Sequence, residues 1–283
     1  MVAYIYDESD ESGVKFDTVD IPTDHIDQAN EYRESLIEAV SDFDDDIANK
    51  YLEGEDISED ELRLAIRKAT ISIKFVGVIP GSAFKNKGVQ MLMDAVVDYL
   101  PCPTDVPPQE LTDEEGNPTG EVATVSTTEP LRALAFKIMD DPFVGSITFC
   151  RIYSGTLNSG TTLLNSTKEK KERIGRMLEM HANDRKDIKE AFAGDIVAVA
   201  KLTRAETGDT LSDKDNPLLM EPWLMPDALL PVAIVAKSKA DEDKLGAALG
   251  RLVAEDATMR LDRNAETGQM VLWCMGEAHV DVL

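Results

Sequence analysis

The residue types best suited to catalysis are few in this sequence and lie far apart. The three histidines are His25, His181 and His279, and none belongs to an H-E-x-x-H or H-x-E pattern of a zinc site. The three cysteines form no C-x-x-C pair, so neither a disulfide framework nor a thiolate metal site is indicated. The G-x-S-x-G of an α/β-hydrolase is absent. The residues alone nominate no catalytic group and no metal ligand.

Two glycine-bounded segments are the remaining places where chemistry could occur. Residues 155–162, GTLNSGTT, have the glycine spacing of a phosphate-binding P-loop, but Thr161 stands where the lysine is required, and a β-pattern follows. We predict a hairpin turn there. Residues 81–88, GSAFKNKG, lie between an apolar run and a helical pattern. In open α/β sheets ligands bind where strands end, so this loop lies where a ligand would bind. The residues alone favour a plain strand-to-helix turn over a ligand site.

One short segment is basic in an otherwise acidic chain. Phosphate contacts need such a local patch whatever the net charge, which makes it a candidate RNA-binding surface. A solvated strand pair, in which two intervening glutamates offset part of the positive charge, fits the same pattern equally well. The cluster consists of Lys168, Lys170, Lys171, Arg173 and Arg176.

Composition limits the class of protein. The 283 residues carry 54 Asp and Glu against 29 Lys and Arg, a net charge of −25, which argues against coating nucleic acid by bulk attraction. No run of 18 apolar residues and no basic leader is present, so we predict a cytoplasmic protein without a membrane span. The length predicts two or three domains.

The acidic charge is concentrated at the start. Residues 1–60 contain 20 acidic and 3 basic side chains. Apolar positions from Ile26 to Ile47 recur at helical spacing, and a second helix is predicted from Ser58, with Glu61 completing a capping box, to about Ala69. The acidic face is either a solvated helix surface or a docking surface for a basic partner.

The rest of the chain divides by pattern. Residues 71–79 predict a strand buried on both faces, followed by a helix over 89–100. Residues 101–130 contain six prolines and predict a linker. Short alternating segments over 131–217 predict a small antiparallel barrel. The β-α-β-β order after residue 229 predicts a ferredoxin-like split βαβ module.

Long segments of the chain carry a family resemblance. The sequences GSAFKNKGVQ at 81–90 and DPFVGSITFCRIYSGTLNSG at 141–160 resemble the end of the G domain and the second domain of the bacterial elongation factor G family of translational GTPases. The stretch from KADEDKLGAALG to MGEAH at 239–279 is similar to its third domain. The acidic helices look like the insert of its G domain.

The resemblance implies a multidomain α/β plus β fold. Residues 1–100 would be the C-terminal part of a P-loop-type G domain with its acidic helical insert, and 101–130 a linker. Residues 131–222 would be the translation-factor β-barrel, and 223–283 an incomplete ferredoxin-like third domain.

The resemblance also implies a nucleotide site. Ser82, Ala83 and Phe84 would be the guanine-recognition loop, whose backbone amide and small side chains meet the base. The parent protein would use GTP or GDP with magnesium. Asn86 and Lys87 do not begin the family's Asn-Lys-x-Asp motif, because Val89 occupies the aspartate position. The P-loop, switch segments and that motif are missing from this chain, so we expect it alone neither to hydrolyse GTP nor to hold a cofactor.

The implied function is GTP-dependent movement of tRNA and mRNA through the ribosome by a monomeric factor. Its partners would be small-subunit rRNA and proteins, the ribosomal stalk and the tRNA–mRNA complex. Two alternatives remain: a ribosome-recycling or ribosome-protection GTPase of the same family, and a non-enzymatic ribosome- or RNA-binding module.

Overall fold

The structure, a computed structural model, describes residues 1–141, 144–221 and 223–283. The chain forms two compact units, Met1–Val106 and Pro107–Leu283. The first unit contains, in chain order, β1 (Ala3–Tyr6), β2 (Phe16–Val19), α1 (Ile26–Ser41), α2 (Asp45–Glu53), α3 (Glu59–Ile71), a short 3-10 helix (Ala83–Lys85) and α4 (Val89–Tyr99).

Local capping sets the helix boundaries of the first unit. The predicted capping box is confirmed, because the Glu61 amide donates to Ser58 Oγ at 3.3 Å while the Ser58 amide donates to Glu61 Oε2 at 3.0 Å. The single helix predicted through Ile47 is instead two helices. The Asp44 carboxylate accepts from the amides of Asp46 and Ile47 and so begins α2 afresh. The three helices share one core, which includes Ile37, Val40, Ile47, Leu62 and Ile66.

The prediction of a doubly buried strand over 71–79 is wrong. Ile71 ends α3, no strand forms over 72–80, and Ile73 and Val78 are almost fully exposed. A strand needs a neighbour to satisfy its backbone groups. In the described part of the first unit β1 and β2 pair only with each other, so no strand lies beside this run. The helix predicted after the loop is confirmed as α4.

The second unit is mostly antiparallel sheet. Its elements are β3 (Gln109–Thr112), β4 (Pro118–Ala123), β5 (Arg132–Asp141), β6 (Gly145–Ser154), β7 (Thr156–Asn158), β8 (Thr162–Asn165), β9 (Lys170–Arg173), β10 (Met177–His181), β11 (Asp184–Ile188), β12 (Glu190–Phe192), β13 (Ile196–Ala200), β14 (Thr210–Ser212), β15 (Leu219–Met220), β16 (Leu230–Ile234), α5 (Lys239–Glu255), β17 (Arg260–Arg263), β18 (Met270–Cys274) and α6 (Glu277–Val282).

Eight of these strands form one sheet in the order β11-β10-β13-β6-β5-β14-β8-β9. Strands from β5 to β14 contribute to the main core, in which Ile152, Leu157, Met177, Val199 and Leu211 are almost wholly buried. Ile147, Leu178 and Ala198 of the same sheet form a second, smaller buried cluster. The segment with P-loop-like glycine spacing is β-structure with a turn at 159–160 between β7 and β8. The hairpin predicted there is wrong, because β7 pairs with β12, whereas β8 pairs with β9 and β14.

Part of the segment predicted as a linker is folded. Strands β3 and β4 form a hairpin, and β15 joins it as a third strand. Leu111, Ala123 and Met220 bury their side chains in a small core with Leu134 of β5. The prolines obscured the alternation of these short strands, since Pro118 itself begins β4.

The last part of the chain has the predicted β-α-β-β order. Its sheet order is β16-β18-β17, so β18 lies between the two strands that α5 connects. Helix α5 buries Leu249 against Met259 and Leu272, and α6 follows β18. No helix in the described ranges combines the length and the apolar character needed to cross a bilayer.

Candidate functional site

The 81–88 loop is closed by its own backbone. The Ser82 amide donates to Lys87 O at 2.9 Å, and the Lys87 amide donates to Ser82 O at 3.0 Å. Between them the chain makes a single 3-10 turn, which Asn86 ends in the left-handed conformation with φ 54°. The bridge therefore fixes the ends of a four-residue tip, Ala83 to Asn86.

The tip presents the three residues predicted to meet a base. Ser82 is half-buried, whereas Ala83 and Phe84 are exposed. Among the described residues no group accepts a hydrogen bond from the amides of Ala83 or Phe84, as is usual for the first amides of a helix. The tip thus offers two backbone donors that have no partner in the described part of the chain, beside the small side chains of Ser82 and Ala83.

The five basic residues predicted as an RNA surface do not share one environment. The Lys168 ammonium lies 2.7 Å from Glu206 and 3.4 Å from Asp209, and it donates to Arg204 O. Arg176 forms a two-pronged pair with Asp187, and this ion pair raises the pKa of the guanidinium. These two cations are neutralised locally.

The other three cations lie on β9, the last strand at one edge of the eight-stranded sheet. Lys170, Lys171 and Arg173 are exposed, and within the described ranges none has an ion-pair partner. Arg173 and Arg176 also line an open hollow of about 450 Å³ with Lys201, which follows β13. Lys201 could not be predicted as a member of this group, because no local pattern in the sequence links it to a strand almost thirty residues earlier.

The remaining titratable groups show no catalytic arrangement. Burial raises the pKa of the Cys150 thiol to about 12, which makes it a poor nucleophile. His279 Nε2 lies 3.2 Å from Asp256, while its Nδ1 accepts from the Met275 amide at 3.3 Å, so this ring joins α6 to β18 and the loop after α5. Among the described residues no three His, Cys, Asp or Glu side chains are grouped to hold a metal ion.

Comparison with known proteins identifies two of the domains and a relative of this chain. Residues 130–214 match the family model of elongation factor G domain 2, and residues 225–283 match that of elongation factor G domain III. Elongation factor G of Rhodopseudomonas palustris (strain BisB18) is 53% identical over 275 residues, which cover 97% of this chain and 40% of that protein.

A solved structure from Thermus thermophilus has the same fold. It superposes with a TM-score of 0.73 at 28% sequence identity, covering 99% of this chain and 39% of that one. The chain spans about two fifths of the length of each of these relatives. With two domain models matched in order and more than half of the residues identical to a relative, the chain belongs to the elongation factor G family.

Proposed function

We propose that this chain is part of a translational GTPase that moves tRNA and mRNA through the ribosome in a GTP-dependent step of elongation. The observation that carries the proposal is the 53% identity to an elongation factor G along nearly the whole chain. Bound GTP with magnesium supplies the free energy of hydrolysis in such an enzyme. The enzymatic activity is proposed for the longer protein that the relatives represent, and this chain by itself is proposed to be inactive.

We propose that Ser82, Ala83 and Phe84 recognise the guanine base. The free amides of Ala83 and Phe84 support this, because guanine has a carbonyl oxygen at C6 that accepts hydrogen bonds, whereas adenine has an amino group there. Among the residues that the structure describes, no acidic or histidine cluster is placed to hold a cation. No step of hydrolysis is therefore assigned to them.

The proposed domain division follows the family. Residues 1–100 are the end of the G domain with its acidic helical insert, 101–130 connect it to the barrel domain at 131–222, and 223–283 belong to the third domain. The family models cover 130–214 and 225–283, which supports the last two. The exposed apolar face of α4 supports the first, because a helix of a G domain packs such a face on a sheet.

The proposed partners follow from charge. The exposed cations of β9 contact small-subunit rRNA, and the acidic helices of the first unit meet the ribosomal stalk. The tRNA–mRNA complex is moved by the whole factor, which works as a cytoplasmic monomer. The local charge of β9 supports the RNA contact, since counterion release depends on the cations at the contact rather than on net charge.

The test uses the protein extended to the full length of its relatives. We expect ribosome-stimulated GTP hydrolysis and a one-codon shift of mRNA in a toeprinting assay. Ala83→Asp should suppress both by placing a carboxylate beside the base, whereas Ala265→Asp, on an exposed turn of the third domain, should leave both unchanged. Splitting of ribosomes into subunits without any mRNA shift would instead assign the recycling function.

A further inference from the structure

The strongest unexplained feature of the first unit is the turn that joins β1 to β2. We propose that this β1–β2 turn, residues 7–15, is a positioning device that holds the 81–88 loop in the shape needed to discriminate guanine, without touching the nucleotide. The proposal rests on the proposed function of Ser82 to Phe84. Three separate contacts link the turn and its flanking strand to the loop.

The first contact is a close approach of two backbones. Gly13 has φ +67°, and a Cβ built on it would lie 1.9 Å from Lys85 O and 3.0 Å from the Lys85 carbonyl carbon. Any side chain at this position would displace the peptide after Lys85, because real Cβ atoms do not come within that distance. Gly13 therefore lets the turn rest directly on the 3-10 helix of the loop.

The second contact is a hydrogen bond at the residue that ends this helix. Asn86 Nδ2 donates to Ser12 O at 2.9 Å. Asn86 needs the left-handed conformation to close the loop, a conformation that asparagine adopts more readily than most residues. The bond to the turn therefore fixes the side chain of the residue at which the loop turns back toward Lys87.

The third contact lies at the far end of the loop. The Gly88 amide donates to the Tyr6 hydroxyl at 2.7 Å, and this hydroxyl in turn points to Met91 Sδ at 3.7 Å. The Lys87 ammonium lies 5.5 Å from the centre of the Tyr6 ring. One pair of hydrogen bonds joins Lys87 to Ser82. Contacts that fix residues 85, 86 and 88 therefore also fix the position of the recognition residues.

The turn is ordered by its own hydrogen bonds. The Asp10 carboxylate accepts from Ser12 Oγ at 2.7 Å and from the amides of Val14 and Lys15 at 3.0 and 2.9 Å. These bonds lower the pKa of Asp10 to about 2, so the carboxylate is ionised throughout the neutral range. Because the turn is fixed by its own hydrogen bonds, its contacts can restrict the conformation of the 81–88 loop. A flexible turn would move together with the loop and would not restrict it.

The test compares two glycine substitutions in the full-length protein. Gly13→Ala adds a methyl group against Lys85, whereas Gly54→Ala adds the same group at the similar φ of +70° with no atom within 4 Å. Hydrogen exchange of the Ser82 and Lys87 amides reports the loop, and fluorescent GDP titration with ADP as competitor reports affinity and base selectivity. The exchange readout needs no nucleotide.

We expect Gly13→Ala to speed exchange of both amides and to weaken GDP binding about tenfold while ADP competes equally well, so the GDP-to-ADP preference falls. Tyr6→Phe, which removes the acceptor of the Gly88 amide and the weak bond to Met91 Sδ, should weaken GDP binding about threefold. Gly54→Ala should leave affinity and preference at the wild-type values. Unchanged exchange over α1 to α3 verifies that each variant is folded.

The outcomes separate the two proposals. If the wild type binds GDP and Gly13→Ala binds it equally well with the same preference, the positioning role is wrong and the base-recognition role stands. If the loss of affinity in Gly13→Ala applies equally to GDP and ADP, the turn is only structural and the inference fails. If the wild type does not bind GDP, the proposed function fails and this inference fails with it.

Discussion

Gly155 lies against a neighbouring backbone segment of the second unit, so a Cβ does not fit there. Its φ is +76°, and a Cβ there would lie 2.6 Å from Leu131 Cα and 2.8 Å from Glu129 O. The Gly155 amide donates to Ser126 O at 2.7 Å, so the two segments of the chain cannot separate without losing this hydrogen bond. We expect Gly155→Ala to lower the free energy of unfolding by about 2–4 kcal/mol, measured by urea denaturation, because backbone rather than a movable side chain fills the space.

Gly160 provides the matched control for this substitution. It has φ +84° and open space around its Cα, so Gly160→Ala carries only the strain of the left-handed conformation, about 1 kcal/mol. Equal losses in the two variants would show that conformation alone, and not the close approach to Leu131, makes glycine necessary at position 155.

Glu61 links the start of α3 to α2 and gives the first unit a pH dependence. Its carboxylate accepts from the Lys50 ammonium and from Ser58, and these bonds lower its pKa from 4.5 to about 2. Because the folded-state pKa is the lower one, ionised Glu61 stabilises the fold above pH 4.5, and this contribution is lost as the pH falls toward 2. We expect Glu61→Gln to reduce the acid dependence of the urea midpoint of the first unit.

The comparison for Glu61 is a glutamate that lacks these contacts. Glu31 lies on α1, and its carboxylate has no hydrogen bond or ion pair among the described residues, so Glu31→Gln should keep the acid dependence of the wild type. A midpoint that falls equally with pH in Glu61→Gln and the wild type would contradict the role assigned to the carboxylate.

At the scale of elements, local signals predicted what local interactions build. The capping box predicted the start of α3, and the apolar spacing predicted α4 and α5. The strand predicted over 71–79 failed because a strand depends on a neighbour that residue types do not reveal. The hairpin within 101–130 was missed for a related reason, since its pairing with Leu219 and Met220 joins residues about a hundred positions apart.

The candidate sites show the same limit. The residues of the loop could be named from the sequence because they are contiguous, and their role came from the family resemblance. The turn that rests on the loop could not be predicted, because Gly13 and Lys85 are more than seventy residues apart. The basic cluster was predicted as one group, yet the fold neutralises Lys168 and adds Lys201.

The exposed cations of β9 lead to a prediction that does not apply to the paired Lys168. Lys170→Glu with Lys171→Glu should weaken binding of the chain to purified small ribosomal subunits. Loss of two phosphate contacts should reduce the slope of log affinity against log salt concentration by roughly 1.5. Lys168→Met should instead lower stability with little change in that slope, because Lys168 is paired with Glu206 and Asp209. Identical salt slopes for the wild type and the double variant would exclude β9 from the contact.

Over the whole molecule, negative charge is distributed unevenly along the chain. Residues 1–60 carry −17 of the net −25, whereas β9 presents three exposed cations in the second unit. At physiological salt a charge is screened beyond about 8 Å, so a contact at β9 is governed by its own cations. Binding of an acidic protein to RNA is thus consistent with its composition.

An open apolar surface lies in the first unit. Val76, Val96 and Leu92 line one open apolar hollow with Phe75 and Tyr99, although about half or more of each of the first three is exposed. Contiguous apolar surface of this kind is uncommon on a monomer and marks a face that another surface covers. We expect the chain by itself to bind a hydrophobic dye and to self-associate as its concentration rises, measured by sedimentation velocity.

Serine substitutions identify the surface responsible. Val76→Ser with Val96→Ser should lower both dye binding and association, whereas Leu52→Ser, at an 81% exposed position on α2, should change neither. The protein extended to the length of its relatives should bind less dye than this chain, because the proposed G-domain sheet covers the face. Equal dye binding per molecule by the two forms would argue against that cover, and with it against the assignment of residues 1–100 to a G domain.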